Sequence, residues 1–162
     1  LRVPADEVAI LAVDASTDAL DLARENAVGH GVGDRIAFEA ADLLPPAARS
    51  DPVDVIVANL PYVPATTVDD LVARRTSAAF EPRLALDGGS DGLAVIRRLL
   101  QSLPAGLADG GVALLEVGAD QGTTIREAAA AWLPGWPIDV AADLAGLPRV
   151  AILRRGSARA SS

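Results

Sequence analysis

Apolar residues gather in short unbroken blocks along this chain, and helical spacing appears between them. Residues 8–13 form a continuous apolar run ended by Asp14, the mark of a strand buried on both faces. Residues 35–40 read as a second strand that ends at Asp42, and residues 53–58 as a third that runs into Asn59. Residues 112–117 follow the Gly110-Gly111 turn as a further strand, and two more close the pattern at 138–142 and 149–154. Between the strands, Ser16 is placed to cap a helix carrying Leu20, Ala23 and Ala27 on one face, and Gly29-His30-Gly31 stops it. A weak helical pattern covers 68–78. Asp91 is placed to cap a strong one that carries Leu93, Ile96, Leu100, Leu103 and Leu107 on its buried side. Ile125, Ala128, Ala129 and Trp132 share a face of another helix, and 156–162 reads as a polar, disordered tail. Strand and helix alternate throughout, which predicts an open α/β sheet with helices on both faces. Ligands of such sheets bind at the carboxyl ends of the strands, where Asp14, Asp42 and Asn59 all fall.

Composition narrows the chemistry. The length of 162 residues fits one domain with a real core, and no apolar run reaches the ~18 residues of a membrane span. No signal peptide is visible, so the default location is cytoplasmic, with no membrane partner. There is no Cys and a single His30, which removes thiolate metal sites and most zinc or Ser-His-Asp chemistry. A net charge of -8 argues against a nucleic-acid partner, whose phosphates need clustered cations. The chain opens on Leu1 and contains no Met, and it is read as a fragment.

Asn59-Leu60-Pro61-Tyr62 carries the most specific signal. The Asn side-chain carbonyl and the next backbone carbonyl can each accept one N–H of a planar NH2 group, which leaves the nitrogen lone pair aimed at an electrophile. Pro61 stiffens the turn, and Tyr62 offers a ring against the planar group. Asp14 can accept hydrogen bonds from the two hydroxyls of a ribose, or simply cap a turn. Asp42 can take the exocyclic amine of an adenine with Leu43 packed on the ring, or be an ordinary loop carboxylate. The Gly29–Gly33 stretch superficially matches a nucleotide loop but closes a helix instead of following a strand, so it is read as a helix C-cap and connector. Trp132 and Trp136 read as core and interface, and the Arg97-Arg98 and Arg154-Arg155 pairs as solvated faces.

These motifs resemble those of the HemK/PrmC family, the release-factor glutamine methyltransferases. Residues 12–16, 59–64 and 81–93 carry the resemblance, supported by 114–118 with Gln121-Gly122. It implies a Rossmann-like, S-adenosylmethionine (SAM)-dependent methyltransferase fold with a mixed sheet over residues 1–155. The implied acceptor is a glutamine in a Gly-Gly-Gln loop of peptide chain release factors. By position, Asp14 would hold the ribose, Asp42 and Leu43 the adenine, and Asn59 with Leu60 the target amide. Asn59 would thus face both cofactor and substrate.

Two departures stand out. The family usually has Pro at the position of Leu60, although the group required there is a backbone carbonyl. The family's first strand and glycine-rich loop are also expected to be absent, since seven residues precede the first apolar block. On that basis the chain alone is expected to fold poorly and bind the donor weakly. Two alternatives stay open here: an adenine-N6 methyltransferase on RNA or DNA, whose related sites share the Asn-Leu-Pro-Tyr spelling, and an inactive remnant.

Overall fold

The computed structural model describes residues 8–76 and 80–157. The chain divides into two compact units, residues 1–49 and 50–162. In the first, β1 (Ile10–Asp14) pairs in parallel with β2 (Ile36–Ala40), and α1 (Thr17–Gly29) makes the crossover. The Ser16 hydroxyl accepts from the Ala19 amide at 3.2 Å, so the expected cap is present. His30 ends the helix with its amide bonded to the Asn26 carbonyl, and Gly31 takes φ +67. That is the helix-closing role read for the glycine stretch. Leu20 and Ala27 are the buried residues of α1.

The second unit is built on four strands in the order β3-β4-β6-β5. β3 (Val53–Ala58) runs parallel to β4 (Leu107–Glu116), while β6 (Pro148–Arg154) is antiparallel to both β4 and β5 (Ile138–Ala142). The short helix α2 (Pro46–Ser50) falls at the chain position where the units divide, and α3 (Ala65–Ala73) and the short α4 (Arg83–Leu86) follow in the second. The larger helices are α5 (Ala94–Gly106) and α6 (Gly122–Trp132). Leu93, Ile96, Leu100, Leu103 and Leu107 are all buried, joined by Leu115, Ile125, Leu133 and Leu153. No described helix is long and apolar enough to cross a membrane.

The mixed sheet is as expected, and several local expectations shift. The described strands form two sheets, β1-β2 and the four-stranded one, in place of one open sheet. β1 and β3 each hydrogen-bond to a single described strand, and no described ladder joins the two sets. The strong helix starts at Ala94 with Leu93 at its N-cap, two residues beyond the expected cap Asp91, because Gly92 adopts φ +76, a turn that a helix cannot contain. Asp91 still serves the helix start by accepting from the Leu93 amide at 3.1 Å. The fourth strand begins at Leu107, before the Gly110-Gly111 pair, with a register irregularity opposite β3 absorbing the two glycines. Trp132 is exposed, not core, because it sits at the last turn of α6. Arg155 is no solvated face either, since its guanidinium donates to the Pro104 and Leu107 carbonyls. Of the tail expected to be disordered, 158–162 lies outside the described residues.

Candidate functional site

The loop that follows β3 is held by backbone pairing on one side and by side chains on the other. β3 delivers Ala58 opposite Leu115 of β4, and Asn59 to Pro64 leave the sheet there. Val63 forms a parallel bridge with Asp87: its amide donates to the Leu86 carbonyl at 3.0 Å, and the Gly88 amide donates to its carbonyl at 2.9 Å. The Ala65 amide adds a bond to the Gly89 carbonyl at 2.9 Å. Residues 86–89, from the last residue of α4 onward, are thereby stitched to the loop like a short extra strand. Asp87 organises its own turn by accepting from the Gly89 amide at 2.9 Å.

On the other side, the Tyr62 hydroxyl donates to Glu116 Oε1 at 3.1 Å. Burial, then the hydrogen bond and negative charge of Glu116, raise the Tyr62 phenol above its usual 10.0, with Arg149 opposing the rise. The phenol therefore stays protonated near neutral pH and acts as a donor. Gln121, only 5% exposed, donates from Nε2 to the Tyr62 carbonyl at 2.9 Å and accepts from the Gly118 amide at 2.8 Å. Gly92 packs into the same junction: a Cβ there would collide with the Tyr62 carbonyl and with Gln121 Nε2.

A small cavity of about 110 Å³ opens beside this loop, lined by Asn59, Leu60, Tyr62, Val63, Glu81, Ala85 and Leu86. Asn59 is exposed, and no hydrogen bond among the described residues engages its carboxamide. Pro61 is half-buried within the turn. The second unit thus gathers Asn59, Leu60 and Tyr62 around one cavity, while Pro61 shapes the turn without lining it.

In the first unit, Asp14 closes β1 and its Oδ1 accepts from the Ser16 amide at 2.8 Å. A carboxylate has about four lone-pair sites, so this exposed group can still accept a vicinal diol. The Asp14 carbonyl also accepts from the Ala41 amide at 3.1 Å, which brings the turn before Asp42 to the end of β1. Leu43 holds φ 67, a left-handed conformation that costs a branched residue of order 1–3 kcal/mol and concentrates at ligand sites. The donor set suits a ribose and an adenine edge: exposed carboxylates at Asp14 and Asp42, with a half-buried leucine between solvent and core.

The sequence reading placed Glu116 and Gln121 in a supporting motif and gave neither a place in the site. Glu116 was legible by the same rule that found Asp14 and Asn59, since it too is a polar residue at a strand's carboxyl end. Glu81 lines the cavity and carried no comparable signal.

A family model described as "RMKL-like, methyltransferase domain" matches residues 2–77. A release factor glutamine methyltransferase from Bradyrhizobium diazoefficiens is 40% identical over 144 residues, 88% of this chain and 46% of that protein. A ribosomal protein uL3 glutamine methyltransferase from the same organism is 38% identical over 107 residues, 66% of this chain and 32% of that protein. Among solved structures, a release-factor-specific protein-(glutamine-N5) methyltransferase from Alicyclobacillus acidocaldarius superposes with a TM-score of 0.52 at 21% identity. That match covers 92% of this chain and 80% of that one. The fold is that of the Rossmann-like methyltransferases. Within that class, the chain belongs to the HemK/PrmC family. It spans about half the length of the curated relatives it matches.

Proposed function

We propose that this chain carries the catalytic half of a SAM-dependent protein-glutamine methyltransferase, with the amide of a Gly-Gly-Gln loop in a peptide chain release factor as acceptor. The observation that carries the reading is the uncommitted Asn59 carboxamide on the wall of a cavity at the end of β3. The names of the relatives supply the acceptor class.

In this reading the Asn59 side-chain carbonyl and the Leu60 backbone carbonyl each accept one N–H of the target amide. Their directionality turns the nitrogen lone pair out of the amide plane's resonance and toward the methyl donor. Leu60 supplies only its carbonyl, so the residue's departure from proline leaves the acceptor pair intact. Tyr62 lies against the planar group, its phenol held neutral by burial and by Glu116. Asp14 takes the ribose hydroxyls of the donor, and Asp42 with Leu43 takes the adenine. When bound, SAM supplies an electrophilic methyl group. The transfer needs positioning more than it needs a strong base, and the spent amide proton can leave to water.

The test is transfer of labelled methyl from SAM to a Gly-Gly-Gln release-factor fragment, a uL3 fragment and an adenine-containing oligonucleotide. Label on glutamine of the release-factor fragment, abolished by Asn59→Ala, is the expected result. Glutamine labelling confined to the uL3 fragment would keep the chemistry and change the partner, a reading favoured by the uL3-directed relatives. Label on adenine would overturn the amide reading.

A further inference from the structure

We propose that Gln121 is a positioning residue for the amide-binding loop, acting through the Tyr62 carbonyl; this deepens the glutamine-transfer reading and rests on it. Gln121 is the one buried polar side chain among the described residues, and both ends of its carboxamide are spent on backbone. Oε1 accepts from the Gly118 amide just beyond β4, and Nε2 donates to the Tyr62 carbonyl, 59 positions away in the chain. A single planar amide therefore fixes the distance between the turn that opens α6 and the loop that presents Asn59 and the Leu60 carbonyl.

The surroundings give it little freedom. Gly92 and Gly118 both pack on Gln121: a Cβ on Gly92 would meet Nε2 at 2.6 Å, and one on Gly118 would meet Oε1 at 3.1 Å. Two residues before Tyr62, the Leu60 carbonyl shares the rigid turn set by Pro61. A shift of the Tyr62 carbonyl is carried through that turn to both acceptors of the target NH2. Glu116 holds the phenol of the same tyrosine, but from a half-buried, solvent-reachable position. Gln121 is the buried half of the grip.

Gln121→Glu isolates the idea because it keeps size and the oxygen that accepts from the Gly118 amide, while replacing the group that donates to the Tyr62 carbonyl with a second acceptor. Tyr62 is the only tyrosine, so carbonyl-13C tyrosine gives the 162-residue chain a single label at the atom in question. The expected result is a displaced carbonyl signal in Gln121→Glu and Gln121→Ala at neutral pH. In Gln121→Glu the signal returns as pH falls through the buried carboxyl's pKa, where the protonated acid can donate again. Methyl transfer to the glutamine fragment should fall on the order of 10²-fold in kcat, with the SAM dissociation constant unchanged. An unmoved carbonyl signal in Gln121→Glu overturns the proposal, as does a moved signal with wild-type kcat. If wild-type chain transfers nothing to glutamine, the amide reading fails by itself, and the grip is judged on the carbonyl signal and its pH dependence. Should Gln121→Ala fail to fold, the isosteric Gln121→Glu carries the decision.

Discussion

At the residue scale the loop after β3 is defined by what it cannot tolerate. Gly92 has φ +76, and the space where its Cβ would stand is filled by the Tyr62 carbonyl and by Gln121. Gly92→Ala is expected to destabilise the chain by about 1–3 kcal/mol through backbone strain and displacement of the loop. A chemical denaturation series would read this, and an unchanged midpoint would refute it. Tyr62 makes a second prediction. Its phenol is raised above 10.0, so its folded-state interactions contribute fully below about pH 10 and are lost as pH rises through the folded value. The melting temperature of wild type should therefore fall toward that of Tyr62→Phe as pH rises above 10. Parallel curves would mean that burial and Glu116 together hold the phenol's proton no more tightly in the folded chain than in the unfolded one. Asn59 and Tyr62 were legible because Asn-Leu-Pro-Tyr at a strand end is a local signal. Gln121 was not, because its partner is 59 positions away and a lone glutamine before a helix has no distinctive pattern.

Periodicity exposed the elements, and close packing set their ends. The face 93-96-100-103-107 was read from spacing alone; all five residues are buried, but only Ile96, Leu100 and Leu103 lie in α5, with Leu93 at its N-cap and Leu107 opening β4. Leu100 is 0% exposed in the middle of α5, so Leu100→Ala should cost about 2–5 kcal/mol, measured by urea unfolding. A loss below about 1 kcal/mol would mean that α5 is not part of a packed core. The boundaries were less legible. The register irregularity in β4 depends on pairing with β3, and the short α4 depends on the bridge at Val63, neither of which a local window contains. Residues 8–13 and β3 point the same lesson the other way. The 8–13 block predicted burial on both faces, yet Val8 and Ile10 are exposed and residues 11–13 only half-buried, and Val55 and Val57 of β3 are 53% and 76% exposed.

For the whole molecule, strand alternation gave the class of fold, while the order β3-β4-β6-β5 of the larger sheet could be read only from pairing. Ile10 in β1 and Val55 with Val57 in β3 leave apolar side chains exposed on strands that have one open edge each, a pattern that weakens a fold and invites association. Calorimetric titration of the 162-residue chain with S-adenosylhomocysteine is accordingly expected to show binding weaker than micromolar, together with a low, broad melt. Tight binding with a sharp melt would show that the two sheets suffice.

The bridge between Val63 and Asp87 has a consequence for how such a protein can change. It fastens the base of the excursion that begins at α3, and Arg83 adds surface ion pairs to Asp69 and Asp87 across the same base. Closing a longer excursion costs little, roughly 0.6 kcal/mol for each doubling of length. Residues added after Thr76 would therefore leave Asn59 where it is. The excursion can be lengthened or replaced, as a lathe takes a new tool in a fixed chuck, while its base stays fastened.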